Sequence, residues 1–210
     1  MAITYPLSLP TTIGIGEIEL RANNVVGVSQ SPFTYKQQVV QHQGQRWEAS
    51  VSIPPVRKDL AEAWIAFLIS LKGPVGTFYL GDPNMATPSG AATGSDTVTV
   101  STSSYVGDET LPIVNSGGAA VTNFLRAGDY IQIGSGVTQT LHKVLTDTTL
   151  ASDGTASVDI WPALRTFVAP GTSVVHQSAK GVFRLSSPMT SWSINNSSVY
   201  GISFDAVEVI

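Results

Sequence analysis

The hydrophobic pattern of the chain is sharpest in two neighbouring stretches with different periods. In "QRWEASVSIP" the alternation is strict: Trp47, Ala49, Val51 and Ile53 point one way, Arg46, Glu48, Ser50 and Ser52 the other. That is the signature of an antiparallel strand with one buried face. The preceding "SPFTYKQQVVQHQG" reads as its hairpin partner, with Gly44 at the turn. The period then changes. Over about residues 58–72, Leu60, Trp64, Phe67, Leu68 and Leu71 recur at helical spacing and form one wide, aromatic face. Pro54 and Pro55 precede this segment, Asp59 and Glu62 sit near its start, Lys72 near its end, and Gly73-Pro74 stops it. The pattern predicts a helix laid against a sheet, followed by a short strand in "VGTFYLGDP".

From about Asn84 to Ser95 the chain turns small and polar, "NMATPSGAATGS", as a linker does. Six short strand-like segments follow: "DTVTVS", "TLPIV", "DYIQIG", "LHKVLTD", "ASVDIW" and "TSVVHQ", with Asp153-Gly154 a hairpin signal between two of them. Such a series predicts a small barrel of OB or SH3-like size. At Gly181 the style of the first 83 residues resumes. The expected organisation is one β unit from residues 1–83 and 179–210, with residues 84–178 inserted as the barrel. Trp192 and Ile194 share a face in "TSWSI", and Tyr200, Ile202, Phe204 and Ala206 share one in "VYGISFDAVEVI", with "NNSS" as the loop between. The fold class is therefore mainly all-β with one flanking α-helix. "SFDAVEVI" and "TIGIGEIEL" are the candidate free sheet edges.

Composition narrows the function. Apolar residues make up 42% of the 210 and charged residues only 12%, about half the roughly 25% usual in globular domains. The chain is apolar enough to fold, yet has little charge to keep surfaces apart, which suits a protein that works assembled. A net charge of −4 without basic runs argues against nucleic-acid binding as its task. The absence of cysteine excludes a disulfide framework and a thiolate zinc site. "MAITYPLSLP" lacks the basic and apolar regions of a signal peptide, and no apolar run is long enough to span a membrane. Synthesis and folding in a cytoplasm are expected, so the sequons around Asn195–Ser198 carry no meaning.

The search for chemistry returns little. His42, His142 and His176 are scattered without ligand spacing, and His142 reads as a solvent-face strand residue. No nucleophile elbow occurs. "GIGEIE" and "GPVGTF" lack the rest of any phosphate-binding loop. Asp147, Asp153 and Asp159 do not have EF-hand spacing, and Asp108-Glu109 diverge as adjacent residues must. No enzyme activity, cofactor or metal is expected. The insert offers Tyr105, Phe124, Tyr130, Trp161 and Phe167; they are core candidates or, for Trp161 beside Pro162, a candidate glycan contact.

"SPFTYKQQVVQHQGQRWEASVSIPPVRKDLAEAWIAFLISLKGPVGTFYLGDP", then "LRAGDYIQIG", "LHKVLTD" and "WPALR", and finally "FRLSSPMTSWSINNSSVYGISFDAVEVI" resemble, in order and over nearly the whole chain, distal tail proteins of long-tailed (siphovirus-like) bacteriophages. The resemblance implies a tail-tube-like β-sandwich flanked by one helix, six copies of which close into a ring around the DNA channel. It implies a place in the virion at the tail tip or baseplate, with the tail-tube protein on one side, the tail-tip hub protein on the other, and the tape-measure protein as a further neighbour. DNA would pass through the lumen unbound, and Glu17, Glu19, Asp205 and Glu208 are the candidate lumen-facing carboxylates, or else ordinary solvent-face residues. Two other readings stay open: a tail-tube protein that stacks into a filament, and a glycan-binding module acting through the insert.

Overall fold

Two strands set the frame of the computed structural model, which describes residues 3–210. β1 (Glu17–Gln30) and β2 (Gln37–Arg57) form one antiparallel hairpin, with 14 residues on one side and 21 on the other. α1 (Lys58–Ser70) and β3 (Thr77–Leu80) follow. Then come β4 (Val98–Val100), β5 (Thr110–Asn115), β6 (Val121–Leu125), β7 (Tyr130–Ile133), β8 (Thr140–Val144), β9 (Thr148–Leu150), β10 (Thr155–Trp161) and β11 (Ser173–Val175). β12 (Gly181–Leu185), β13 (Trp192–Ile194) and β14 (Val199–Glu208) complete the chain. The protein is mainly β, with this single α-helix among the described residues.

The first sheet runs β1-β2-β14-β12-β3, with β13 paired to β14. β14 is therefore central, between β2 and β12, and not the free edge expected of "SFDAVEVI". Residues 195–198 do form the β13–β14 loop. The two true edges differ. The outer side of β3 is capped: Leu7 N–H donates to the Thr77 carbonyl at 2.8 Å, and Tyr79 N–H donates to the Leu7 carbonyl at 2.9 Å. Among the described residues, no strand pairs with the outer side of β1.

Trp47, Ala49, Val51 and Ile53 are all buried, as their alternation requires. α1 covers the sheet with Ala61, Trp64, Ile65, Phe67 and Leu68. Phe67 meets Phe78 edge-on at 5.6 Å, and Trp64 lies 6.2 Å from Phe204. Burial of each such large side chain stabilises by about 1.5–3 kcal/mol. Leu60 departs from expectation: it stays exposed, because Ala61 and Ile65 complete the buried stripe instead. The helix also ends sooner than predicted, at Ser70, where Leu71 caps it and Lys72 enters the left-handed region at φ 54°.

Gly44 is not a turn. It lies inside β2, where a Cβ would come within 2.7 Å of Val25 Cγ2, so any side chain there would have to displace that of Val25. β2 pairs with β1, and the reversal is at Ser31–Lys36. There Tyr35 N–H donates to the Ser31 carbonyl at 2.9 Å, and Ser31 N–H donates to the Lys36 carbonyl at 3.0 Å.

The six strand-like segments of the middle region become the six strands of a closed barrel, in the order β10-β5-β4-β11-β7-β8. Its core is built by Leu111, Ile113, Ile131, Val144, Val158 and Ile160. β6 and β9 form a separate two-stranded sheet that the pattern did not announce. Asp153-Gly154 turns the chain after β9, whereas β8 and β10 pair through the longer connection. All eight strands from β4 to β11 lie in sequence between β3 and β12, which pair with each other.

Barrel and sheet meet over Trp47. Its ring packs edge-on against Trp161 at 4.6 Å and lies 5.8 Å from Tyr130. Trp47 Nε1 donates to the Leu141 carbonyl at 2.9 Å. His142, expected on a solvent face, is buried at this junction. Its Nδ1 bonds the Pro162 carbonyl at 2.7 Å as donor, which leaves Nε2 to accept from the Thr140 hydroxyl at 2.8 Å. Burial pushes its pKa down to about 4, and the nearby Arg165 charge adds to this against the opposing Pro162 hydrogen bond.

Candidate functional site

Three of the four candidate carboxylates come together. On the paired strands, Glu19 lies beside Ser50 and Ser50 beside Asp205, while Glu17 lies beside Ser52 and Ser52 beside Ser203. Two-residue spacing along each strand puts all of them on one face. Ser50 Oγ donates to Asp205 Oδ1 at 2.5 Å and accepts from Arg21 Nη2 at 2.7 Å. The cleft they border has a volume of about 440 Å³ and is also lined by Met189, Leu185 and Phe204. Further along the same face, Asn23 and Arg46 both donate to Glu48 Oε1, and these hydrogen bonds hold the Glu48 carboxyl below the usual range.

Glu208 does not belong with them: it is buried within the chain and not on the solvent face expected of it. It is 4% exposed, on the inner face of β14 with Tyr200, Ile202 and Ala206. Its Oε2 accepts from Trp47 N–H at 3.0 Å and from Arg165 Nη2 at 2.7 Å. Arg165 also donates to the Gln45 carbonyl at 2.8 Å, and Gln45 Oε1 accepts from Ala163 N–H at 2.7 Å. Glu208 thus anchors the barrel to the sheet. Trp161 does likewise: half-buried, it packs on Trp47 and its Nε1 donates to Asn24 Oδ1 at 2.8 Å. The exposed aromatics of the insert are Tyr105 and Phe167, 5.6 Å apart.

The second feature is an arm that the sequence pattern missed. From Arg21 to Gly44 every residue except Ser31 is exposed, although most of them are in β1 and β2. Val25, Val26, Val28, Val39 and Val40 stand in solvent, and at the tip Phe33 is 92% and Tyr35 74% exposed. Tyr35 also has φ 55°, a left-handed conformation that bulky residues seldom adopt. Between Ala22 and Gln45 the only Lys, Arg, Asp or Glu is Lys36. That run of uncharged, mixed sequence was the available signal. A ribbon of two strands on its own is marginally stable in water, and a contiguous exposed apolar surface marks an interaction site.

Among the described residues no cluster of His, Cys, Asp or Glu could hold a metal ion. Among the same residues no helix is long and apolar enough to cross a membrane. No protein-family model matches the chain, and no curated protein matches it either.

Proposed function

We propose that this chain is a structural ring protein of a phage tail tip, of the distal-tail type. In this reading the six-stranded sheet with α1 is the tail-tube-like β-sandwich unit, and six copies close into a ring between the tail tube and the tip hub. The tape-measure protein is a further neighbour and DNA passes through the lumen. The observation that carries the reading is the β1–β2 arm, which projects past its own body with both faces in solvent. Heterologous contacts made by one such arm per copy close into a ring when the rotation allows and run on as a filament when it does not. Low overall charge without basic runs is consistent with an assembled wall that does not hold phosphates.

Light scattering after gel filtration, with negative-stain images, tests this. A discrete hexamer with a central hole supports the ring. Long stacked tubes replace it with the tail-tube reading, and a chain that stays monomeric at millimolar concentration overturns both. A second reading, glycan contact through the insert, is favoured by the exposed Tyr105–Phe167 pair. Glycan-array binding that disappears in Tyr105→Ala/Phe167→Ala identifies it.

A further inference from the structure

The arm and the carboxylate-lined cleft are at opposite ends of one hairpin. Glu17 pairs with Ser52 at the base, Gln30 with Gln37 beside the tip. At about 3.4 Å per residue they lie roughly 40 Å apart. A chain cannot seat its own tip in its own cleft, but a second copy can.

We propose that the tip of the arm, with Phe33, Tyr35 and Lys36, docks into the cleft of an adjacent copy, Lys36 Nζ against Glu17, Glu19 and Asp205. The contact deepens the ring reading and rests on it. Charge complementarity selects the occupant: Lys36 is the one Lys, Arg, Asp or Glu between Ala22 and Gln45, and it stands beside the most exposed aromatics of the molecule. The cleft matches it in kind, with carboxylates and serine hydroxyls beside Met189, which is 82% exposed, and half-buried Phe204. An ammonium group that leads an aromatic pair suits a cleft that is acidic and apolar together. The left-handed backbone at Tyr35 holds an aromatic residue where glycine would be the relaxed choice. Because the contact joins unlike surfaces it propagates head to tail, as a ring requires. Exposed charges at its rim make it salt-sensitive.

A charge exchange tests the docking. Lys36→Glu is expected to weaken association at least roughly tenfold in sedimentation equilibrium at low salt. Glu17→Lys/Glu19→Lys is expected to do the same, and all three residues are exposed, so the fold is spared. Mixing the two variants restores association, since each tip then meets a cleft of opposite sign. The chain has no cysteine, so Tyr35→Cys/Met189→Cys gives an independent readout: oxidation yields a ladder of covalent oligomers, and either single variant stops at dimers. Wild-type assembly that Lys36→Glu leaves unchanged, without a ladder, overturns the docking and leaves the ring reading standing. A wild type that never assembles but forms the ladder upholds the docking and counts against a self-closing ring. Neither assembly nor ladder overturns both.

Discussion

Below Asn24 and Gln45 the β1–β2 hairpin buries one face of β2 in the core, and above them the same two strands lie in solvent on both faces. The lower half carries Trp47, Ala49, Val51 and Ile53, each buried against α1 or the barrel. The upper half carries valines of similar hydrophobicity that touch no such layer, and the register slips between Asn24 and Val26 where one regime gives way to the other. Backbone pairing resumes beyond the slip and runs to Gln30 and Gln37. What differs is what lies above the face, and this separates the part of a strand that stabilises the fold from the part left for another molecule.

Substitution at the two ends should therefore have opposite readouts. Trp47→Ala removes the ring shared by sheet and barrel and is expected to lower stability by about 3–5 kcal/mol, measured by urea unfolding. Val28→Ala, in the same hairpin, should shift that midpoint by less than about 0.5 kcal/mol while weakening association. Equal losses at both would erase the distinction. At the boundary, Arg165→Met leaves Glu208 buried without its cation, an expected loss of about 3 kcal/mol.

The junction of sheet and barrel should also respond to pH, through buried His142. His142 is neutral in the folded protein until about pH 4, whereas the unfolded chain takes up that proton near 6.5. Between those values the unfolded state binds more protons, so stability rises with pH. The contribution is fully present above about 6.5 and is lost as pH falls to 4, in total about 3 kcal/mol. Urea midpoints across pH 4–7 in wild type and His142→Gln check this: the slope should flatten in the variant.

The two halves are not equally legible in the sequence. Strict alternation from Arg46 to Ile53 requires one dry face and specifies it, and the same period places the six barrel strands. Where no layer covers the strand, selection for alternation lapses. "QQVVQHQGQ" therefore carries no period, and Gly44 reads as a turn although it relieves a contact with Val25. Parity along β14 is enough to remove Glu208 from the carboxylate set, since it shares a face with Ala206 and Ile202. A buried acid paired across 43 positions with Arg165 leaves no local signal of its own. Glu17, Glu19 and Asp205 come together only through the order β1-β2-β14, and pairing order is not written in any one strand.

A smaller effect sharpens the same boundary. Gly44→Ala pushes a methyl against Val25 in the arm, an expected local loss of about 1 kcal/mol. Hydrogen exchange should quicken for amides of residues 25–30 and 37–43 while the global midpoint holds. Faster exchange throughout the first sheet would mean that arm and body are one cooperative unit.

The smallest change in stability belongs to the tip. Tyr35 has φ 55°, where an L side chain is strained and glycine is not, and its ring is largely in solvent. Tyr35→Gly exchanges that strain, about 1 kcal/mol, for the greater freedom of glycine in the unfolded chain. The two terms oppose each other, so the urea midpoint should stay within about 0.5 kcal/mol of wild type. Sedimentation of the same variant should nevertheless show weaker association, because an exposed ring that adds nothing to its own fold adds to a contact between copies. If association is unchanged, the aromatic tip has no role in assembly and the arm works through its valine faces alone.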